Sequence, residues 1–381
     1  MGQNGAMDVH ASLGLLGGLS PAVFMKRHWQ KKPLLVRQAM PGGGAPLARS
    51  ELFALAARDD VESRLVQQTA TGWRVRQGPF ARRALPPLGR PGWTLLVQGL
   101  DLHVPAAHAL LQGFRFVPEA RLDDLMVSWA SPGGGVGPHV DSYDVFLLQV
   151  QGRRRWRIGP VARGREPELV EGAPLKLLRH FEPTQEWLLH PGDMLYLPPQ
   201  WGHDGLAEGD DCMTCSVGFR APAASELARE LLLRLADESE TGGNLYRDPQ
   251  QPATANPGAV PAGLREFALS ALERQLADPL TLDRVLGEWL TEPKPRVWFE
   301  AGQGRGPGAV RLDPRTRMMY DDSHVFINGE AFRAAGRDAR AMRQLADARL
   351  LAAPECARLS AGAAALLDEW FEAGWVREAT A

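Results

Sequence analysis

The chain has 381 residues, with 43 Lys and Arg against 45 Asp and Glu, and it is 44% hydrophobic and 23% charged. That length allows two or three domains, the composition is that of a folded protein rather than a disordered one, and a formal charge of −2 supplies no global field that would draw the molecule onto nucleic acid or anionic lipid. Three cysteines are too few for a disulfide scaffold and fit a reducing, cytoplasmic setting. No apolar run approaches the roughly 18 residues that crossing a membrane needs. The short apolar patch at Leu13–Leu19 has no Lys or Arg before it, so it does not read as a signal peptide.

Up to about Ala221, turn signals recur: MPGGGAP at 40–46, LPPLGRPG at 85–92, SPGGGVGP at 131–138 and LPPQWG at 197–202. Between them lie short apolar or alternating runs at Leu125–Ala130, Val145–Val150, Arg154–Ile158, Met194–Leu197 and Met213–Phe219. Many short strands between Gly/Pro turns predict a barrel or double-sheet β architecture. From Ser225 the spacing turns helical, with Leu227, Leu231, Leu232 and Leu235 on one face of a helix over Ser225–Glu240 and Ser225 as its N-cap. The Pro/Gly/Asn-rich stretch Gly242–Gly263 reads as a linker. Helices follow at Leu264–Leu276 and Leu282–Leu290, the latter capped by Thr281, then strands at Met318–Tyr320 and His324–Phe332 with Asn328-Gly329 as a hairpin turn. Two last helices are predicted over Arg337–Leu350 and Ser360–Ala373. A helical unit followed by an α+β unit with one hairpin fits a winged-helix shape.

The sharpest chemical feature is GPHVDSYDVFLLQV. Read as a strand, it puts His139 and Asp141 on one face, where an imidazole and a carboxylate one pleat apart can both reach one metal. His203, after a Pro-Gly-Asp turn and a Pro-Pro turn in HPGDMLYLPPQWGH, is the candidate third ligand from a distant strand. Two His and one carboxylate leave three open positions on an octahedral ion, as in the facial triad of non-haem iron oxygenases. Alone, either segment would pass for a surface strand or a turn; their combination in a β-rich background carries the metal reading.

The segment Arg153–Ile158 adds an argument that needs no metal. With period two, Arg154 shares a face with Trp156 and Ile158 and points where they point, into the barrel. A buried guanidinium needs an anion, and its planar fork suits a carboxylate. That anion is either a fixed protein carboxylate or a bound dicarboxylate whose other end chelates the metal. The remaining histidines, His10, His28, His103, His108, His180, His190 and His324, read as exposed or structural. Cys212 and Cys215 form a lone C-x-x-C at the start of a strand, without the second pair or βα context that zinc or redox chemistry needs.

The segments SPGGGVGPHVDSYDVFLLQVQGRRRWRIG, PGDMLYLPPQWGHDG and SVGFRAP resemble those of the bacterial JmjC-type ribosomal oxygenases. The resemblance runs from Arg27 to about Ala221 with specific motifs, and more loosely beyond. It implies an α+β chain: a double-stranded β-helix (cupin/JmjC jelly-roll) catalytic domain over 1–221, a helical dimerisation segment over 222–278, and a winged-helix-like C-terminal domain over 279–381. It implies Fe(II) as metal with 2-oxoglutarate and O2 as co-substrates, and hydroxylation of an arginine β-carbon in the sixteenth protein of the large ribosomal subunit. Carried over by position, His139, Asp141 and His203 look like the iron triad, and Arg154 is similar to the residue that anchors the far carboxylate of 2-oxoglutarate. Ser128 and Ser216 resemble polar residues beside the co-substrate. For the substrate arginine, Tyr143 and Asp144 are the candidate clamp. Tyr143 keeps the phase of the ligand pair, while Asp144 falls on the opposite face of a regular strand, where an exposed charge is the alternative.

The partners expected are a large-subunit ribosomal protein as substrate and a second copy in a homodimer, with no membrane and no direct nucleic acid. Competing readings are a cupin of other chemistry, a JmjC demethylase or hydroxylase acting on another protein, and a non-enzymatic winged-helix nucleic-acid binder. Arg154 and the appended domains argue against the first, and the near-balanced charge of Thr281–Ala381 argues against the last.

Overall fold

The computed structural model describes residues 7–70, 72–161, 166–237 and 245–379, apart from the side chain of Gln275. The chain resolves into two compact units, one reaching to Ala221 and including Arg296–Trp298, the other comprising Pro222–Pro295 and Phe299–Ala381.

The first unit runs α1 (Pro21–Arg27), β1 (Leu34–Val36), α2 (Arg49–Leu55), β2 (Ser63–Thr69), β3 (Gly72–Gln77), β4 (Trp93–Val97), α3 (Pro105–Gln112), β5 (Leu122–Ala130), β6 (Val145–Pro160), β7 (Gln185–Leu189), β8 (Met194–Leu197) and β9 (Trp201–Phe219). These strands form one nine-stranded sheet in the order β1-β8-β6-β9-β5-β4-β2-β3, with β7 joining β6. The two runs expected as separate strands at Val145–Val150 and Arg154–Ile158 are halves of the single long β6. Its first part pairs with β8 and its second with β7, while β9 follows it on the other edge. The Gln151-Gly152 pair joins the two halves of β6 and lies where the β6–β9 register shifts. Gly152 has a φ of +63°, and a Cβ there would meet the Asp211 carbonyl at 2.8 Å, so the irregularity needs glycine.

Because opposed residues on paired strands share a face, the register sorts the sheet into two sides. One side packs Phe24, Trp29, Phe53 and Phe114 of the N-terminal helices and loops against Trp93, Trp129, Phe146, Tyr196 and Phe219. Each such side chain, fully buried, contributes roughly 1.5–3 kcal/mol or more. The other side is a smaller apolar cluster of Val145, Leu147, Trp156, Ile158, Leu189, Leu195 and Leu197. On that side Ile158 opposes His203, Arg154 opposes Ala207, and Ser216 opposes Leu147. Ser128 opposes Thr214.

The second unit contains α4 (Ala224–Asp237), α5 (Ala262–Leu276), α6 (Pro279–Thr291), β10 (Val310–Leu312), β11 (Met318–Tyr320), β12 (His324–Ile327), β13 (Glu330–Arg333), α7 (Gly336–Ala348), β14 (Leu350–Leu351), α8 (Ala353–Cys356), α9 (Ala361–Glu372) and β15 (Val376–Glu378). Strands β11-β12-β13 and β14-β10-β15 make two small sheets around a core that includes Leu312, Ile327, Met342, Leu345, Leu367 and Trp370. Asn328 and Gly329 turn β12 into β13 with φ of 48° and 90°, the left-handed pair a tight hairpin requires. Two caps differ from expectation. Helix α4 starts at Ala224, with the Leu227 amide on the Ala223 carbonyl, so Ser225 lies inside its first turn. Helix α6 is capped by Asp278, which accepts from the Leu280 amide; Pro279 follows at the first helical position, which favours an earlier start. Thr281 then donates to the Asp278 carboxylate at 2.6 Å. Residues 238–240 of the helix expected to Glu240, and 242–244 of the linker, lie outside the described residues. Among the described residues no helix is long and apolar enough to cross a membrane.

Candidate active site

The segment carrying His139 and Asp141 is extended but is not a regular strand. It bends at Ser142–Tyr143 before β6 begins, and it is held to the start of β9 by bridges rather than by a ladder. His139 bridges His203 on one side and Leu177 on the other. The Gln200 amide donates to the Asp141 carbonyl at 3.1 Å. The glycine run just upstream reaches β9 in the same way, with reciprocal bonds of 3.0 and 2.9 Å among Gly133, Gly134 and Ala207. A Cβ on Gly135 would stand 2.5 Å from the Gly205 carbonyl, so only glycine allows this approach. Thr94, buried in β4, donates its hydroxyl to the Gly135 carbonyl at 3.2 Å.

This backbone arrangement brings the side chains of His139, Asp141 and His203 together, with one ligand atom of each lying within 4.8 Å of the others. His203 Nε2 is 3.6 Å from Asp141 Oδ2. His139 Nδ1 is 2.9 Å from the Gly137 carbonyl and His203 Nδ1 is 2.9 Å from the Trp201 carbonyl. A carbonyl can only accept, so each Nδ1 carries the proton and each Nε2 lone pair is left for a metal. Burial first, and then the neighbouring His139, hold His203 well below the usual imidazole range despite the opposing pull of Asp141. A neutral imidazole is the ligating form. The donor set of two neutral imidazoles and one carboxylate fits a divalent transition metal.

Arg154 is 4% exposed, and its Nε and Nη2 make no hydrogen bond among the described residues. Its neighbours on β6, Arg155 and Arg157, point the other way and pair with Glu186, Glu208 and Asp204. The alternation expected from RRRWRI is therefore present, and no protein carboxylate pairs with Arg154 among the described residues. On the same face, the Trp156 indole Nε1 is also buried without a partner, 5.9 Å ring to ring from His203. A ring of the Trp156 size fits there because Gly205 has no side chain: a Cβ would lie 2.6 Å from the indole. Three orphaned buried donors beside a metal-competent triad fit a bound carboxylate.

Ser128 and Ser216 lie buried on this face, Ser128 with its hydroxyl 3.5 Å from the Thr214 carbonyl. Tyr143 is 39% exposed. Asp144 is neither an exposed charge nor part of this face. It is fully buried, accepts from Tyr196 at 2.6 Å and Gln30 at 3.1 Å, and lies 3.6 Å from Arg121. Its partner Tyr196 belongs to the large aromatic core on the opposite side of the sheet, so it is not placed to clamp a substrate here. Cys212 and Cys215 are buried free thiols. Sequence reasoning missed Trp156, Gly205 and Thr94 as parts of the site; the triple glycine and the Trp two residues after Arg154 were the available signals.

A family model for the JmjC domain matches residues 109–227, and one for the ROXA-like winged helix matches 274–377. Across 83% of its length, and 86% of the relative's, the chain is 42% identical to an Escherichia coli protein described as ribosomal protein uL16 3-hydroxylase. A Haemophilus influenzae protein described as a probable ribosomal oxygenase is 37% identical over 55% of the chain and 52% of its own. Among solved structures, E. coli YcfD superposes with a TM-score of 0.83 at 30% identity, covering 93% of this chain and 97% of that one. The same ribosomal oxygenase in complex with cobalt and 2-oxoglutarate gives 0.80 at 30% identity over 94% and 98%.

Proposed function

The chain belongs to the JmjC-type ribosomal oxygenases, 2-oxoglutarate-dependent hydroxylases with a cupin catalytic fold and a winged-helix C-terminal domain, and from that premise we propose that it uses Fe(II) to hydroxylate an arginine side chain of a large-subunit ribosomal protein. The observation that carries the reading is Arg154, a buried guanidinium with unpaired donors on the face that holds His139, Asp141 and His203. In this reading the two Nε2 atoms and an Asp141 carboxylate oxygen hold the metal, and the Gly137 and Trp201 carbonyls fix the imidazole tautomers. When bound there, Fe(II) would supply the chemistry that couples oxidative decarboxylation of 2-oxoglutarate by O2, giving succinate and CO2, to insertion of one oxygen atom into a substrate C–H bond.

The rest of the work falls to the chain. Arg154 takes the far carboxylate of 2-oxoglutarate through its fork, aided by Trp156 Nε1, with Ser128 and Ser216 beside the co-substrate. Tyr143, on the rim, faces the substrate arginine. Leu147, Ile158 and Leu195 keep water from the buried half of the site. We extend the proposal to a cytoplasmic homodimer, built on the half-exposed Leu232 and Leu233 of α4 and Leu269 and Leu272 of α5, and to a division of the C-terminal half into a dimerisation segment (222–278) and a winged-helix domain (279–381). The test is anaerobic loading with Fe(II), then 2-oxoglutarate and O2 with fragments of large-subunit ribosomal proteins. A gain of one oxygen atom on an arginine, matched by succinate, supports the reading. Succinate formation with the oxygen on another residue type would overturn the arginine assignment.

A further inference from the structure

The formal charge of −2 hides a segregation. Between Ser63 and Leu100 stand six arginines, Arg64, Arg74, Arg76, Arg82, Arg83 and Arg90, and no carboxylate. Arg74, Arg82, Arg83 and Arg90 are exposed, and among the described residues none of the six forms an ion pair. An ordinary solvated face mixes both signs.

The fold gathers five of these residues on one edge; Arg64 lies on β2 in phase with Leu96 and Ser128, on the other face of the sheet, where it donates to Gln98. Strand β3 ends the sheet order, and Arg74 and Arg76 alternate onto the same face of it. Arg74 opposes Gln67, which in turn opposes Trp93, so this is the face of the large aromatic core. Arg76 lies over the Phe80 ring at 5.4 Å and Arg82 over Phe53 at 5.3 Å. Phe53 and Trp93 are 6.3 Å apart ring to ring, and the Trp93 indole donates to the Pro87 carbonyl at 3.2 Å. That bond ties down the loop bearing Arg82, Arg83 and Arg90. Guanidinium groups held against rings lose less freedom when their outer edge takes up an anion. A planar fork suits phosphate oxygens bidentately.

We propose that this arginine-rich edge, from β3 through the 78–92 loop, binds the phosphate backbone of RNA. The choice of RNA over another polyanion rests on the proposed ribosomal-protein substrate, which is itself a partner of ribosomal RNA; the charge segregation stands without it. The edge would let the enzyme engage RNA next to its protein substrate while the site takes the substrate side chain. It also replaces the expectation of no direct nucleic-acid contact, which came from total charge alone.

The experiment measures fluorescence anisotropy of a labelled large-subunit rRNA hairpin with the full chain and with the quadruple variant R74Q/R82Q/R83Q/R90Q, across a salt series. We expect the variant to bind roughly tenfold or more weakly at about 0.1 M salt, with a log K against log salt slope shallower by roughly 3, since each lost phosphate contact removes about 0.7–0.9. Hydroxylation of a short free peptide should be equal in the two proteins. Equal RNA binding by both proteins, or polyglutamate competing as well as RNA, would overturn the proposal. If no peptide is hydroxylated by either protein, the functional reading fails while the RNA comparison still stands or falls alone.

Discussion

His139 and His203 exchange both backbone hydrogen bonds, at 3.0 and 2.9 Å, so two imidazoles that converge on one point are set by a single rung between segments far apart in sequence. The glycine run keeps that rung closed, because Gly135 lets its strand lie against Gly205. Gly135→Ala should push the two segments apart and lower affinity for Co(II) or Mn(II) by roughly 10–100-fold, the range seen when supports of a ligand are disturbed. Titration calorimetry on the variant, with circular dichroism to show that the fold is kept, is the check. Unchanged affinity would mean that the rung does not depend on the glycine contact.

Arg154 makes a prediction with two opposite signs. Its guanidinium is buried with two nitrogens unpaired, an arrangement that opposes folding unless an anion arrives. Arg154→Met should therefore leave the ligand-free protein as stable or more stable, on the order of 1 kcal/mol. It should also abolish the rise in melting temperature that 2-oxoglutarate gives the metal-loaded wild type. Metal affinity should hold. A variant still stabilised by 2-oxoglutarate would remove Arg154 from the co-substrate's site.

The alternation in RRRWRI was legible because period two is local: Arg154 needed only its neighbours to be placed inward. The helix and hairpin spans of the second unit were legible for the same reason, each being set by its own residues. What the sequence hid was long-range. Asp144 reads as a substrate clamp or, failing that, an exposed charge, because its partners, Gln30, Arg121 and Tyr196, are scattered along the chain, and only the folded sheet brings them to it. The Gln151-Gly152 pair looks like a turn, yet the pairing of β6 with β9 carries straight past it and absorbs it as an irregularity. Thr281 is a good cap in isolation, but Asp278 followed by Pro279 is better placed and α6 starts there, while Ser225 falls inside the first turn of α4, which starts at Ala224.

Gly205 is the counterpart of Trp156, and the pair can be tested through stability. A methyl at Gly205 would stand 2.6–2.8 Å from three atoms of the indole. Gly205→Ala should destabilise the unit by about 1–3 kcal/mol through overpacking. It should also weaken 2-oxoglutarate binding, since the displaced indole carries one of the unpaired donors beside Arg154. Urea unfolding and a 2-oxoglutarate titration read the two effects. Loss of stability without any change in co-substrate affinity would confine Trp156 to packing.

Asp193, in the Pro-Gly-Asp turn before β8, links acid sensitivity to the architecture behind the site. It is 3% exposed, and burial alone would raise its pKa. The amides of His190 and Gln38, with Arg37, outweigh burial and hold it below the usual carboxylate range. A folded-state pKa below the unfolded one gives stability that is complete above the unfolded value, about 3.9, and is lost as pH falls through the folded value. Asp193→Ala would leave two amides without their acceptor at the junction of β1 and β8, at a cost of about 1–3 kcal/mol at pH 7. The gap between wild type and variant should be constant from pH 7 down to about 5 and narrow below about 4, as measured by urea unfolding at each pH. A gap that widened on acidification would mean that the folded protein favours the protonated carboxyl, and that the His190 and Gln38 amides do not hold a charge.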